Sequence, residues 1–154
     1  MTKEWKLSFE FMANSFGSDK MQVLHMTTGG KGYGNGAKYG DHTPAIWTHP
    51  SKGILVSSAV NDKVSFGRWL EPVPPTGKWI YIEIGQQLVL SEMTYYIIID
   101  GMKVFSINNA NPSEFERVQV LTSSKWGPSV DGSIRNLLIE NIDEGGLSWS
   151  SNCL

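Results

Sequence analysis

The stretch that decides the fold runs from Lys78 to Asn109 and reads KWIYIEIGQQLVLSEMTYYIIIDGMKVFSINN. It contains three successive β-strand signals rich in Ile, Tyr, Val and Phe, over 78–84, 95–99 and 102–107, with a polar loop between the first two. Asp100-Gly101 joins the last two strands and is a strong hairpin signal. The isoleucines 80, 82 and 84 share one face of the first strand, because side chains alternate along a strand. The 95–99 run is apolar on both faces, which predicts a strand covered from both sides.

The rest of the chain carries further strand signals at intervals of about 10 to 15 residues. We predict strands over these segments: 5–11, 21–26, 45–48, 54–59, 64–70, 115–121 and 134–142. Prolines 72, 74 and 75 end the strand that precedes them, because proline has no backbone donor. No segment shows a convincing helical period of apolar residues. The pattern predicts an all-β, antiparallel two-sheet sandwich over residues 1–144, followed by a C-terminal tail over residues 145–154.

Composition narrows the classes of function. A formal charge of −2 supplies no general attraction to nucleic acid or anionic lipid. No apolar run is long enough to predict membrane insertion. The start of the chain has no signal-peptide pattern, which favours either a cytosolic protein or a mature domain with an added initiator Met. The single cysteine, Cys153, excludes an intramolecular disulfide; it is either an idle terminal thiol or a link to another chain.

Three spaced features resemble the concanavalin A-like jelly rolls. They are Gly77-Lys78-Trp79 before a strand, the Asp100-Gly101 hairpin after an isoleucine run, and the closing segment Gly132-Ser133-Ile134-Arg135-Asn136-Leu137. Within that superfamily the chain is most similar to laminin G-like, pentraxin-like and thrombospondin N-terminal-like modules. The resemblance covers roughly residues 5–142 and implies a jelly-roll sandwich and an extracellular location. It does not choose between lectins, adhesion modules and glycosidases, which all use this fold.

Catalysis by a glycosidase requires a pair of carboxylates facing the scissile bond. The hydrolases of this superfamily carry a Glu-x-Asp-x-x-Glu motif, which does not occur in this sequence. The His-x-Asn-x-Arg strand of galectins is also missing, although Arg68-Trp69-Leu70-Glu71 partly matches the end of their pattern. We therefore expect no enzyme activity and keep a hydrolase with an unrecognised acid pair as an alternative.

The segment from Gly29 to Gly40 contains six glycines and is predicted to be a long surface loop. Sugars are bound by stacking on aromatic rings and by hydrogen bonds from amide and carboxylate groups. The loop and its neighbours supply both kinds of group. The predicted ligand-binding residues are Tyr33, Asn35, Tyr39, Asp41, His42, Trp47 and Trp126. The alternative is a linking loop whose tyrosines cover the edge of the sandwich.

No cofactor is predicted to be required, and calcium is kept as a candidate ion. Asp41, Asn61 and Asp62 are loop residues with the oxygen ligands that calcium prefers, but no motif fixes them together. The three histidines, His25, His42 and His49, are too widely spaced for a zinc pattern, and we expect each to be a lone surface or loop residue. Trp5 and Trp79 are expected in the core, whereas Trp47, Trp69 and Trp126 lie beside turns and are expected to be exposed.

These observations favour a non-enzymatic carbohydrate-binding or adhesion-type module that recognises a glycan or glycoprotein through loops at the edge of the sandwich. The second hypothesis is a structural or self-associating domain that forms homo-oligomers through exposed aromatics and a free edge strand.

Overall fold

The computed structural model describes residues 1–29, 37–123 and 127–142, which form ten β-strands and no helix. The strand bounds are β1 Trp5–Ser15, β2 Met21–Thr27, β3 Ala45–His49, β4 Gly53–Val60, β5 Lys63–Leu70, β6 Ile80–Val89, β7 Glu92–Ile99, β8 Met102–Asn108, β9 Gln119–Leu121 and β10 Asp131–Asn141. The prediction of an all-β antiparallel sandwich is confirmed. Within these residues, no helix is long and apolar enough to cross a membrane.

The strands form two antiparallel five-stranded sheets. The order in sheet A is β10-β1-β6-β7-β8, and the order in sheet B is β5-β4-β3-β2-β9. The first and last strands are therefore neighbours, with Trp5 paired to Asn141 and Phe11 paired to Ile134. The β3–β4 and β4–β5 pairs place Ile46, Val56 and Arg68 side by side across sheet B.

The hydrophobic core lies between the sheets. It includes Leu7, Phe9 and Phe11 from β1, at the alternating positions that the sequence predicts, and Ile82 and Ile84 from β6. Ile46 and Val56 belong to the same cluster, so their strands direct the intervening residues to the outer face of sheet B. This alternation separates the core from the candidate site described below.

Two predicted elements differ in the structure. The supposed polar loop after residue 84 is instead the continuation of β6 and the start of β7, which are joined by a two-residue turn at Leu90-Ser91. The strand predicted over 115–121 is confined to Gln119–Leu121. Arg117 has a positive φ of 53°, outside the extended region of regular strands, and Phe115 packs against the Tyr39 ring instead.

Candidate functional site on the outer face of sheet B

Side chains from four strands of sheet B form one continuous row on its outer face. Backbone pairing aligns Gln22 with Trp47, Trp47 with Leu55, and Leu55 with Trp69. The next outer row contains His25, which is paired with Ala45. Aromatic and polar groups from distant parts of the sequence are thereby brought onto one surface.

His25 and His42 form a close pair on this face, with ring centroids 5.0 Å apart and planes inclined by 66°. Their exposures are 0% and 1%, so the expectation of lone surface residues is wrong for both, although His42 does lie in the loop before β3. The two residues meet because the segment before β3 continues between β2 and β4: Thr43 N–H donates to the Met26 carbonyl, and Ala59 N–H donates to the His42 carbonyl. No local sequence motif predicts a histidine pair that is assembled in this way.

Two serine hydroxyls extend the pair toward the edge of the sheet. Nδ1 of His42 lies 3.3 Å from Ser57 Oγ and 3.2 Å from Ser65 Oγ, and the two hydroxyl oxygens are 2.6 Å apart. Ser57 comes from β4 and Ser65 from the edge strand β5. We call His25, His42, Trp47, Ser57 and Ser65 the histidine cluster.

Trp47 packs against both histidines, with centroid distances of 6.0 Å to His25 and 5.3 Å to His42. Lys20 Nζ lies 4.7 Å from the centroid of the Trp47 ring, a distance that suits a cation–π contact. Burial lowers the pKa of Lys20, and the charge of Asp19 opposes that shift. Trp47 is only 2% exposed, so the expectation of an exposed ring at this position is wrong.

His25 is held in its neutral form by its surroundings. Burial lowers its pKa, and this effect outweighs the backbone hydrogen bond and charge of Asp41, which act in the opposite direction. Nε2 of His25 lies 2.7 Å from the Asp41 carbonyl oxygen, and a carbonyl can only accept. The neutral ring therefore carries its proton on Nε2 and a lone pair on Nδ1.

The outer face becomes accessible at the edge strand β5. Ser65 and Gly67 are exposed, and Trp69 is half-buried. The Trp69 ring contacts His49 edge-on at a centroid distance of 5.9 Å, and Lys52 Nζ lies 5.7 Å from its centroid. We call Ser65, Gly67 and Trp69, which share one face of β5, the edge strip.

The predicted ligand-binding residues divide into three groups. Tyr33, Asn35 and Trp126 lie outside the described residues. Tyr39 is half-buried and packs on Phe115 at a centroid distance of 5.6 Å; burial raises its pKa, while the Ser113 side chain opposes that shift. Asp41, His42 and Trp47 are buried, and the last two belong to the histidine cluster.

The three proposed calcium ligands are engaged in hydrogen bonds within the chain. Asp41 Oδ2 accepts from the Lys38 N–H at 2.7 Å. Asn61 and Asp62 form the β4–β5 turn, where Asn61 Oδ1 accepts from the Ala110 N–H and Asp62 Oδ2 accepts from the Asn111 amide. Within the described ranges, no three His, Cys, Asp or Glu side chains are grouped so that they could hold a metal ion. Calcium binding stays a prediction.

Comparison with solved structures identifies the architecture. The heptameric SAP-like pentraxin from Limulus polyphemus aligns with a TM-score of 0.57 and 9% identity, over 89% of this chain and 63% of that one. The endo-β-1,4-glucuronan lyase from the fungus Trichoderma reesei aligns with a TM-score of 0.54 and 18% identity, over 76% of this chain and 54% of that one. The chain has a concanavalin A-like jelly-roll fold. This jelly roll spans less than two thirds of either structure, and the likeness concerns the fold alone.

No family model matches this jelly roll, and no curated protein matches it by sequence. One similar structure is named for its heptameric assembly and the other for its enzyme activity, so the outer face of sheet B has to be interpreted from its own residues. Sequence reasoning selected His42 but missed His25, Ser57 and Ser65. The signal available was the alternation along β4 and β5, which places the serines opposite the core positions.

Proposed function

We propose that this jelly roll is a non-enzymatic carbohydrate-recognition module that binds its ligand along the edge strip of sheet B. The observation that carries the proposal is the order of side chains on the exposed face of β5: a hydroxyl at Ser65, open space at Gly67, and an aromatic ring at Trp69. This order differs from the loop-based site expected from the sequence.

The dimensions of the strip suit a short oligosaccharide. Trp69 lies four positions after Ser65, and a strand rises about 3.3 Å per residue, so the strip is roughly 13 Å long. A Cβ added at Gly67 would lie 3.5 Å from Leu55 Cδ1, in ordinary contact, which means that the glycine leaves a shallow space above the sheet. A sugar ring stacked on Trp69 can therefore lie flat over this position.

The exposed hydroxyl at the inner end of the strip suits a sugar hydroxyl. Ser65 can either donate or accept, and the buried Ser57 and His42 behind it form one connected set with it. At the outer end, Lys52 adds a positive charge beside Trp69. Because the strip residues carry no carboxylate to oppose it, the Lys52 charge favours ligands that include an acidic sugar.

The experiment is a titration with neutral and uronic acid-containing oligosaccharides, followed by tryptophan fluorescence and calorimetry, with and without calcium or a chelator. We expect Trp69→Ala to weaken binding at least tenfold and Gly67→Val to weaken it by filling the space. Trp79→Ala, just before β6 of the other sheet, is the matched control and should bind like the wild type. If the wild-type protein binds no oligosaccharide, or if Trp69→Ala binds equally well, the proposal is wrong.

An extracellular location is part of the proposal, because glycans of this kind are found there.

Glycoside hydrolysis is less favoured, because the carboxylate that we identify at this face, Asp41, is buried and hydrogen-bonded to Lys38.

A further inference from the structure

Exposed apolar side chains are concentrated at the two ends of the β6–β7 ladder. Leu88, Val89 and Leu90 project at the turn that joins the two strands, and Leu90 is 95% exposed. Met102, which is 70% exposed, and Val104 lie at the other end, just after the β7–β8 turn. Within the described residues, the other large exposed apolar side chains are Ile142, which lines a pocket together with Leu88, and Val120 on β9 of sheet B. We call Leu88–Leu90 the tip.

The tip combines two unfavourable features. Leu90 and Ser91 form a two-residue turn and both have positive φ, 48° and 69°. Such turns favour Asn-Gly, because other residues are strained in the left-handed region. The chain therefore holds a leucine where both the backbone and the solvent disfavour it. A leucine in this unfavourable position suggests that it is kept for contact with another molecule and not for the stability of the turn.

An apolar cavity of about 350 Å³ lies at the opposite end of the ladder. Its walls come from the proline-rich segment after β5 and from the starts of β6 and β8. Most of the lining residues are apolar, including Leu70, Pro72, Pro74, Ile80, Met102 and Val104, and the acidic residues Glu71 and Asp100 also line the cavity. Prolines have no N–H to offer, so this wall suits an inserted side chain better than an added strand. The volume falls within the range of cavities that enclose a small ligand or a few side chains.

The tip cannot reach the cavity of its own chain. Ile82 pairs with Ile99 near the cavity and Val89 pairs with Glu92 at the tip, and β6 is ten residues long. At about 3.3 Å per residue, the two ends are roughly 30 Å apart. We propose that the tip of one copy inserts into the cavity of a second copy, so that copies of this chain associate head to tail.

The chemistry of the two ends determines what kind of association this is. A pair of copies joined in this way still has one unoccupied tip and one unoccupied cavity. The contact is therefore heterologous, and further copies add to form a ring or a chain. The low formal charge of −2 causes little repulsion between copies. A hairpin tip in a cavity buries far less area than a permanent interface, so the association is weak and depends on concentration.

The test is sedimentation velocity over a range of protein concentrations with two single variants. Leu90→Asn removes the apolar tip and places at this position a residue that tolerates positive φ, so it should fold at least as well as the wild type. Met102→Glu adds a charge at the exposed rim of the cavity. We expect each variant alone to sediment as a monomer at concentrations where the wild type associates, with dissociation constants raised at least tenfold. Val120→Thr, an exposed apolar position on β9, is the control and should associate like the wild type.

Mixing the two variants gives the decisive result. Leu90→Asn retains an intact cavity and Met102→Glu retains an intact tip, so the mixture should form dimers that do not grow further. The proposal is overturned if the wild type is monomeric at all concentrations, including the case in which its tip binds lipid vesicles instead. It is also overturned if Met102→Glu associates normally, which would indicate contact between tips, or if the mixture stays monomeric. Folding of both variants is checked by thermal unfolding, and Val104→Asp replaces Met102→Glu if that variant does not fold.

Discussion

The hydroxyl groups of Ser58 and Tyr95 lie 2.7 Å apart in the interior and join the two sheets of the sandwich. Ser58 belongs to β4 of sheet B, and Tyr95 belongs to β7 of sheet A. Burial raises the pKa of Tyr95, and the bond to Ser58 only partly offsets that shift, so the phenol stays protonated and able to donate.

Replacing either partner should leave a buried polar group without its hydrogen bond. We expect Ser58→Ala and Tyr95→Phe each to lower the free energy of unfolding by about 1–3 kcal/mol. The double variant should lose less than the sum of the two, because it removes both polar groups together. Urea unfolding of the four proteins measures the coupling, and strictly additive losses would contradict this account.

Stability should fall in mildly acidic solution because of His25. Its pKa is lowered in the folded protein, so between the folded value and the ordinary value of about 6.5 the unfolded chain binds more protons. The contribution of His25 to stability should therefore be complete at pH values above that ordinary pKa. The free energy of unfolding should decrease as the pH falls below it. His42 and the Asp41 carbonyl are the neighbours that face the ring.

Thermal unfolding at several pH values tests this dependence. His25→Gln should flatten the profile between about pH 5 and 7. An unaltered profile in His25→Gln would show that other groups cause the loss of stability.

Gly53 begins β4 with a φ of 83°, and a Cβ at this position would overlap the backbone carbonyl oxygen of Leu70. We expect Gly53→Ala to destabilise the protein by more than about 4 kcal/mol or to prevent folding. Gly77 has a similar φ of 71° with open space around it, so Gly77→Ala should cost only the backbone strain, about 1–2 kcal/mol. Soluble yield and urea unfolding compare the two, and equal losses would exclude the steric explanation.

Glu10 accepts hydrogen bonds from Arg135 at 2.6 Å and from Asn136 at 3.1 Å across the β1–β10 pair. The Arg135 bond lowers the pKa of the Glu10 carboxyl, and Asn136 lowers it further. NMR titration of the side-chain carboxyl carbon should show this shift, and Arg135→Gln should move the pKa back toward its usual range. Lys103→Gln on β8 is the control. If Arg135→Gln leaves the titration unchanged, the contact does not persist in solution.

Much of the fold is predictable because local signals agree with it. Asp100-Gly101 specifies its hairpin, and the alternation of Leu7, Phe9 and Phe11 defines the inner face of β1. The Leu90-Ser91 turn escapes prediction because neither residue favours positive φ. Residues 85–94 therefore look like a loop, although they form the β6–β7 hairpin.

The candidate site was harder to predict because its geometry depends on pairing between distant segments. His25 and His42 are separated by 17 positions in the sequence and become neighbours only when the segment before β3 enters the sheet. Trp47 was misjudged because its proximity to Pro50 suggests a turn, whereas its strand packs it against both His25 and His42. Trp69 could be selected from the sequence as a residue beside a turn, but its relation to Gly67 and Ser65 requires the register of β5.

The position of β1 between β6 and β10 also affects how the polypeptide can be made. Phe11 pairs with Ile80 on one side, and Trp5 pairs with Asn141 on the other, so both partners leave the ribosome long after β1 does. During that interval the aromatic inner face of β1 is without its native cover, which favours aggregation of incomplete chains and makes early contact with a chaperone advantageous.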